Sequence, residues 1–191
     1  DAYVNLGNAY ASQGNFEATI IECQKAIHIN PGHANAHFNL GNAYTKLGNL
    51  GKAITEYQEA IYIDHEYVDA HFNLGNTYTK LGNLDEAITK YQEAIRIDPK
   101  YLSAYDGLAN VYVKKRKLLD AIAEYSKAIE INPRYADAYY NLGEIYFNQG
   151  NLNEAVKQYQ KAIEINANYP RAHYNLGRIY QSLDNRSEER R

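Results

Sequence analysis

Asparagine is the residue whose spacing most clearly suggests chemistry, because it recurs at intervals of 34 residues in two series. The first series contains Asn5, Asn39, Asn73, Asn141 and Asn175, and the second contains Asn8, Asn42, Asn76 and Asn110. A side-chain amide both donates and accepts hydrogen bonds, so a row of amides can pair with a peptide backbone without reading its side chains. The alternative is that asparagine is a tolerated polar residue copied by duplication.

Aromatic and basic residues follow the same interval. Directly before four asparagines of the first series stand Phe38, Phe72, Tyr140 and Tyr174. Such rings either anchor a partner or pack against the neighbouring repeat. The basic series is Lys46, Lys80 and Lys114, and the last of these opens the sequence Lys-Lys-Arg-Lys. This cluster can attract an acidic partner, act as a nuclear signal, or simply form a solvated helix end.

Residues that could hold a metal ion or act as a nucleophile are isolated in the sequence. His37, His71 and His173 occur once per repeat, and helix spacings of roughly 8–10 Å keep them too far apart to share one metal. We therefore expect them to pack, and we expect Cys23, which has no basic neighbour, to be a buried inert thiol. With no glycine-rich phosphate loop and no nucleophile turn, the sequence predicts a non-catalytic protein without a cofactor.

The elements that position these residues come from an internal repeat. Residues 36–64 and 70–98 differ at only five positions. Apolar residues in each copy recur at helical spacing, which predicts two amphipathic helices per copy and an all-α fold. Leucine and tyrosine keep the register along the whole chain, at Leu6, Leu40, Leu74, Leu108, Leu142 and Leu176 and at Tyr10, Tyr44, Tyr78, Tyr112, Tyr146 and Tyr180.

Helix ends can be predicted from single residues. Gly48 stands between the two helices of its repeat, where it predicts a left-handed helix end. Asp69 and Asp137 stand where a following helix begins, and they suit capping or favourable interaction with the helix dipole. The fourth repeat has Gly107 and Arg116 where its neighbours have asparagine and glycine, so its helix junction is a candidate for displacement.

This pattern resembles the tetratricopeptide repeat family over essentially the entire chain. Counted from the start of each repeat, with residue 34 as position one of the second, the positions that match in most repeats are an aromatic at four, Leu-Gly at seven and eight, Tyr at eleven, Gly at fifteen, Ala at twenty, an aromatic at twenty-four and Ala at twenty-seven. Proline occupies position thirty-two in three repeats, as Pro31, Pro99 and Pro133. We divide a single array into the repeats 1–33, 34–67, 68–101, 102–135 and 136–169, followed by a partial sixth repeat, 170–191. The sixth loses the pattern after Leu183, so its last few residues are expected to fray.

The resemblance implies a right-handed superhelical solenoid of antiparallel helix pairs, in which the sixth repeat supplies only its first helix. It also implies a concave groove lined by first helices, at positions that include the asparagine, aromatic and lysine series. The asparagine ladder is similar to that of the O-linked N-acetylglucosamine transferase repeats, which hold extended peptide. Chaperone-tail binders of the family use a carboxylate clamp, but this chain has Val4, Phe38 and Phe72 at clamp positions that require lysine.

Composition narrows the choice of partner. The chain has 20 Lys and Arg against 23 Asp and Glu, a formal charge of -3, so it has no general attraction to nucleic acid or to an anionic membrane. No apolar run approaches the roughly 18 residues of a membrane span, and the visible N-terminus lacks the pattern of a signal peptide. We therefore predict a protein or peptide partner and a cytoplasmic location.

The sequence as a whole favours a non-catalytic scaffold that binds a peptide or protein segment in its groove. One alternative is the substrate-docking arm of a larger enzyme, such as a glycosyltransferase. Another is a self-associating module, in which exposed ends of the array form an end-to-end homo-oligomer.

Overall fold

The computed structural model describes residues 1–188. Within that range the chain is all helix, with eleven helices and no strand. The helices are α1 Ala2–Ser12, α2 Phe16–Ile29, α3 Ala34–Lys46, α4 Leu50–Ile63, α5 Val68–Leu81, α6 Leu84–Ile97, α7 Leu102–Lys114, α8 Leu118–Ile131, α9 Ala136–Asn148, α10 Leu152–Ile165 and α11 Pro170–Glu188. This confirms the predicted two helices per repeat and the single helix of the sixth. That helix continues past Leu183, and the last three residues lie outside the described range.

The chain divides into two compact units, Asp1–Val111 and Tyr112–Arg191, and the division falls within α7. In the first, the N-terminal unit, each helix from α1 to α6 packs on the next along the chain. In the second, the C-terminal unit, α8 to α11 pack in the same order. Connections of two to four residues between consecutive helices make each pair antiparallel.

The core of three helix pairs forms where a tyrosine ring meets a glycine. Tyr57 is 1% exposed, and its ring lies where a side chain at Gly41 would stand. Ala53 and Ala60 of the same pair are fully buried, so α4 approaches its neighbours closely. Tyr91 with Gly75 and Tyr159 with Gly143 repeat the arrangement.

Left-handed residues end the first helix of each full repeat. Gly48 has φ +77°, as predicted, and Arg116 adopts φ +59° at the equivalent position. Because Arg116 keeps the backbone of the glycine it replaces, α7 ends and α8 begins in the same register as α3 and α4. The displacement expected at this junction was therefore wrong.

Of the two roles predicted for Asp69 and Asp137, the position in the first turn fits the interaction with the helix dipole, and capping was wrong. The N-caps of their helices are Tyr67 and Tyr135, which places each aspartate inside the first turn. Asp69 instead accepts a hydrogen bond from the hydroxyl of Tyr101 (2.6 Å), a residue 32 positions later. These carboxylates therefore connect the first helix of a repeat to the loop that follows its second helix.

Candidate functional site

A cleft of about 710 Å³ opens on the N-terminal unit, and we name it the amide cleft. Its wall carries amides, hydroxyl groups and two lysines, and no carboxylate among the described residues. The lining residues are Asn8, Ala11, Phe16, Thr19, Asn39, Asn42, Ala43, Thr45, Lys46, Tyr57, Asn73, Asn76, Thr79 and Lys80. Seven of the residues predicted from the sequence are therefore brought together: five asparagines and two lysines.

The asparagines of the amide cleft are bonded to one another across repeats. Asn39 donates through Nδ2 to Oδ1 of Asn8 (2.7 Å), and Asn73 donates through Nδ2 to Oδ1 of Asn42 (2.8 Å). Each bond joins position six of one repeat to position nine of the repeat before it, 31 residues away. In the N-terminal unit the two asparagine series thus form a hydrogen-bonded ladder with two rungs, each of which links neighbouring repeats.

A buried tyrosine fixes the orientation of the position-nine amide. The Tyr57 hydroxyl donates to Oδ1 of Asn42 (2.7 Å) and lies 3.1 Å from the hydroxyl of Thr45. Tyr91 donates to Oδ1 of Asn76 (2.7 Å) in the same way. Burial raises the pKa of both tyrosines, which keeps the phenols neutral and therefore able to donate.

These bonds leave defined atoms available to a ligand. Oδ1 of Asn42 already accepts two hydrogen bonds, while its Nδ2 makes none within residues 1–188. Asn76 likewise uses Oδ1 and leaves Nδ2 unpaired, and Asn73 leaves Oδ1 unpaired in the same range. The amide cleft therefore presents both donors and an acceptor, the complement of a peptide backbone.

The ladder is interrupted at Gly107, the position-six residue of the fourth repeat. A Cβ atom at Gly107 would lie 2.7 Å from Cε1 of Tyr91, so no side chain fits there unless the ring moves. Asn76 consequently lacks the position-six partner that Asn42 has in Asn73. The next position-nine amide, on Asn110, donates to the carboxylate of Asp106 (2.9 Å).

The predicted aromatic residues of the N-terminal unit are half-buried in ring clusters. The centroid of Phe38 lies 4.9 Å from that of Tyr67 and 6.0 Å from that of Tyr57, and Phe72 has equivalent partners in Tyr91 and Tyr101. A second cavity, of about 530 Å³, borders the amide cleft and exposes the edge of Phe38. Its lining residues are Asp1, Val4, Asn5, Asn8, His33, Asn35, Phe38, Asn39 and Tyr67.

The C-terminal unit has a glutamate at position nine. Glu144 accepts hydrogen bonds through Oε1 from Nδ2 of Asn175 (2.5 Å) and from the hydroxyl of Tyr159. Asn175 is only 8% exposed, and burial together with the neighbouring Glu144 raises the pKa of Tyr159. The oxygen that orders the packing is thus retained when the residue changes from asparagine to glutamate.

The other predicted residues of the C-terminal unit differ from one another in exposure and in contacts. Tyr140 stacks on Tyr169 with ring centroids 5.2 Å apart. Tyr174 is 67% exposed, with the guanidinium carbon of Arg178 5.8 Å from its ring centroid. Lys114 is exposed at the end of α7, and Asn141 is half-buried.

The histidines serve as anchors for loops. Nε2 of His37 lies 3.2 Å from the carbonyl oxygen of Pro31, and His71 and His173 make the same contact with the carbonyl six residues before them. The Tyr105 hydroxyl donates to the equivalent carbonyl oxygen. Either histidine or tyrosine can therefore make this contact, and both residue types occur at this position. Over residues 1–188 no three His, Cys, Asp or Glu side chains are grouped closely enough to hold a metal ion.

Cys23 is fully buried, as expected, and lies against Gly7. Burial raises the pKa of its thiol to about 11, so the unreactive protonated form predominates near neutral pH. None of the described helices is long and apolar enough to cross a bilayer.

Sequence reasoning missed several residues of the amide cleft. Thr45 and Thr79 recur 34 residues apart and line its wall, so their spacing was a usable signal. Tyr57 is missed because its ring is buried in the core, while its hydroxyl reaches the cleft wall. Ala11 and Phe16 break the period and gave no such signal.

Comparison with known proteins covers almost the whole chain. The family model described as TPR repeat matches residues 7–48, 41–82, 75–116, 110–150 and 143–184. Among solved structures, the chain is similar to MamA at 29% identity, over 83% of this chain and 93% of that chain, with a TM-score of 0.77.

Two other solved structures share the fold at lower identity. YrrB, described as a TPR protein with an unusual peptide-binding site, is 24% identical over 91% of this chain and 89% of that chain, with a TM-score of 0.73. The pilF protein of Pseudomonas aeruginosa is 22% identical over 98% and 85%, with a TM-score of 0.83. A comparison with curated protein sequences gave no match.

Proposed function

Because the chain belongs to the tetratricopeptide repeat family, whose members are generally non-catalytic interaction modules, we propose that it is a scaffold that binds an extended peptide segment of a partner protein in the amide cleft. The observation that carries the proposal is the set of unpaired amide atoms on the cleft wall. YrrB, which has this fold, is described as having a peptide-binding site, so the fold is compatible with the proposal.

Recognition would act through the peptide backbone. Nδ2 of Asn42 and Nδ2 of Asn76 would donate to carbonyl oxygens of the ligand, and Oδ1 of Asn73 would accept from a ligand N–H. Because the ladder and Tyr57 hold these amides in place, the ligand would not have to order them on binding. Half-buried Phe38, at the neighbouring cavity, would contact an apolar side chain of the ligand.

The other predicted groove residues are proposed as contacts of the same or a longer ligand. In the N-terminal unit they are Asn5, Asn8, Asn39, Lys46, Lys80, Phe72 and Asn110. In the C-terminal unit they are Lys114, Tyr140, Asn141, Tyr174 and Asn175.

The bonds of the ladder determine which variant tests the proposal. Replacing Asn39 and Asn73 by alanine would remove ligand contacts and also two hydrogen bonds between repeats. The double substitution Asn42→Asp and Asn76→Asp is cleaner, because aspartate keeps the Oδ1 acceptor used by Tyr57 and Tyr91 and replaces only the free Nδ2 donor.

The ligands for this test are uncharged peptides selected by the wild-type chain from a displayed library of random short peptides and synthesised with blocked ends. A matched control is Asn49→Asp with Asn83→Asp, which makes the same chemical change at two N-cap residues outside the amide cleft. We expect the Asn42/Asn76 variant to lose about thirtyfold in affinity by fluorescence anisotropy, since two hydrogen bonds are lost and each is worth about 1 kcal/mol. Equal affinities of the two variants would refute binding through these amides.

The alternative functions predict other measurements. Self-association through the ends of the array predicts a light-scattering mass that rises with concentration, and a constant monomer mass excludes it. A docking arm predicts a catalytic domain in the same reading frame.

A further inference from the structure

Two lysines of the amide cleft have no charged partner. Lys46 and Lys80 line its wall, are exposed, and form no ion pair with any of the described residues. Two other lysines of the N-terminal unit are engaged: Lys25 pairs with Glu22 (2.7 Å), and Lys52 lies over the ring of Tyr44. The positive charge of the amide cleft is therefore uncompensated by the protein itself.

We infer that the peptide bound in the amide cleft is acidic, with aspartate or glutamate side chains that pair with Lys46 and Lys80; this inference rests on the proposed function. Unpaired lysines beside amide and hydroxyl donors suit a carboxylate, which accepts hydrogen bonds from both kinds of group. No described carboxylate lines the cleft to repel such a ligand.

The separation of the lysines favours two side-chain carboxylates over a single chain-terminal one. Lys46 and Lys80 occupy equivalent positions on α3 and α5, which belong to successive repeats. Packed helices are separated by about 8–10 Å, far more than the width of one carboxylate. An extended chain advances about 3.3 Å per residue, so acidic residues about three positions apart would reach both ammonium groups.

A single-stranded nucleic acid is also a polyanion, but the amide cleft favours a peptide. Proteins that bind single strands stack bases on exposed aromatic rings. Of the two aromatic residues that line the amide cleft, Tyr57 is 1% exposed and its ring faces α3. The free amide atoms also match peptide groups, so an acidic peptide satisfies both the charge and the hydrogen-bonding pattern.

The test uses a rhodamine-labelled oligoglutamate of about eight residues, long enough to span two repeats when extended, with both ends blocked. Its neutral counterpart is the oligoglutamine of equal length. Anisotropy titrations compare the wild type with Lys46→Glu/Lys80→Glu and with Lys52→Glu/Lys100→Glu, which makes the same change in net charge outside the cleft. Circular dichroism confirms that each variant is folded.

We expect the wild type to prefer oligoglutamate over oligoglutamine by about tenfold, and we expect this preference to fall as salt shortens the screening length from about 10 Å. The Lys46/Lys80 variant should lose the preference, and the Lys52/Lys100 variant should keep it. Equal binding of the two peptides by the wild type, equal losses in the two variants, or equal competition by oligothymidine would overturn the inference. Amide-dependent binding of uncharged peptides would survive those outcomes, so failure of the inference is distinguishable from failure of the proposed function.

Discussion

The contact between Gly41 and Tyr57 predicts opposite effects for one substitution at two equivalent positions. A Cβ atom at Gly41 would lie 2.7 Å from Cε1 of Tyr57, whereas a Cβ atom at Gly177, the same position in the sixth repeat, would meet no atom within 4 Å. Both glycines lie inside helices, α3 and α11. Changing each to alanine therefore compares the same gain in helix propensity with and without a steric conflict.

The magnitudes follow from these contacts. Alanine is favoured over glycine inside a helix by about 1 kcal/mol, so Gly177→Ala should stabilise by about that amount. At Gly41 the ring must move, which costs about 1–3 kcal/mol for overpacking. Movement also strains the hydrogen bond from Tyr57 to Asn42, worth about 1 kcal/mol. After the gain in propensity, Gly41→Ala should destabilise by about 1–3 kcal/mol.

The assay is urea unfolding followed by far-ultraviolet circular dichroism, with amide hydrogen exchange to assign the change to individual helices. Protection should fall in α3 and α4 for Gly41→Ala and rise in α11 for Gly177→Ala. Gly75→Ala is an internal repeat of the test, because its Cβ atom would lie 2.8 Å from Cε1 of Tyr91. A neutral or stabilising effect at both Gly41 and Gly75 would refute the packing described here.

Two other predictions concern positions at which repeats differ. Arg116 has φ +59°, so Arg116→Gly should raise the free energy of unfolding by about 1 kcal/mol. Gly82, at the equivalent position, has φ +84° and open space around it, so Gly82→Arg should lower the free energy of unfolding by about 1 kcal/mol. Urea unfolding measures both changes. Nδ1 of His71 is buried without a hydrogen-bond partner, and burial lowers the pKa of this residue in the folded state. The unfolded chain therefore binds a proton at His71 more readily than the folded chain, and the free energy of unfolding falls as the pH drops below about 6.5. Lys90→Glu would supply the missing acceptor, so the stability of the variant relative to the wild type should increase from pH 7 to pH 5; a constant difference in thermal unfolding across this range would contradict the assignment.

The repeat pattern was sufficient to predict the helices and the glycine turns. These features depend on contacts within one repeat, and the same contacts recur every 34 residues. The asparagine series were also predicted, but the hydrogen bonds between them were not, because these bonds join residues 31 apart, as in Asn39 to Asn8, and so depend on how successive repeats stack. The bond from Tyr101 to Asp69 was not predicted either, because it joins residues 32 apart, from the loop after α6 to the first turn of α5.

Small differences between near-identical repeats were equally hard to interpret from the sequence. Glu56 and Lys90 occupy the same position, and either residue is acceptable on an exposed helix face. In the structure Glu56 lies 2.8 Å from Nδ1 of His37, whereas the corresponding atom of His71 has no partner. Whether glutamate or lysine stands at this position therefore decides if the histidine 19 residues earlier, on the preceding helix, has a hydrogen-bond partner.

Under the proposed function, one residue at position nine serves packing and binding separately. In Asn42 the oxygen accepts the bonds that hold neighbouring helices together, and the nitrogen remains for a ligand. Glu144 keeps one oxygen in the same role and presents a second oxygen in place of that nitrogen. The exchange thus changes the free group from a neutral donor to a charged acceptor while the packing bonds remain. Because the conserved atom and the variable atom belong to the same side chain, a duplicated repeat can change the chemistry of its ligand without altering how it stacks.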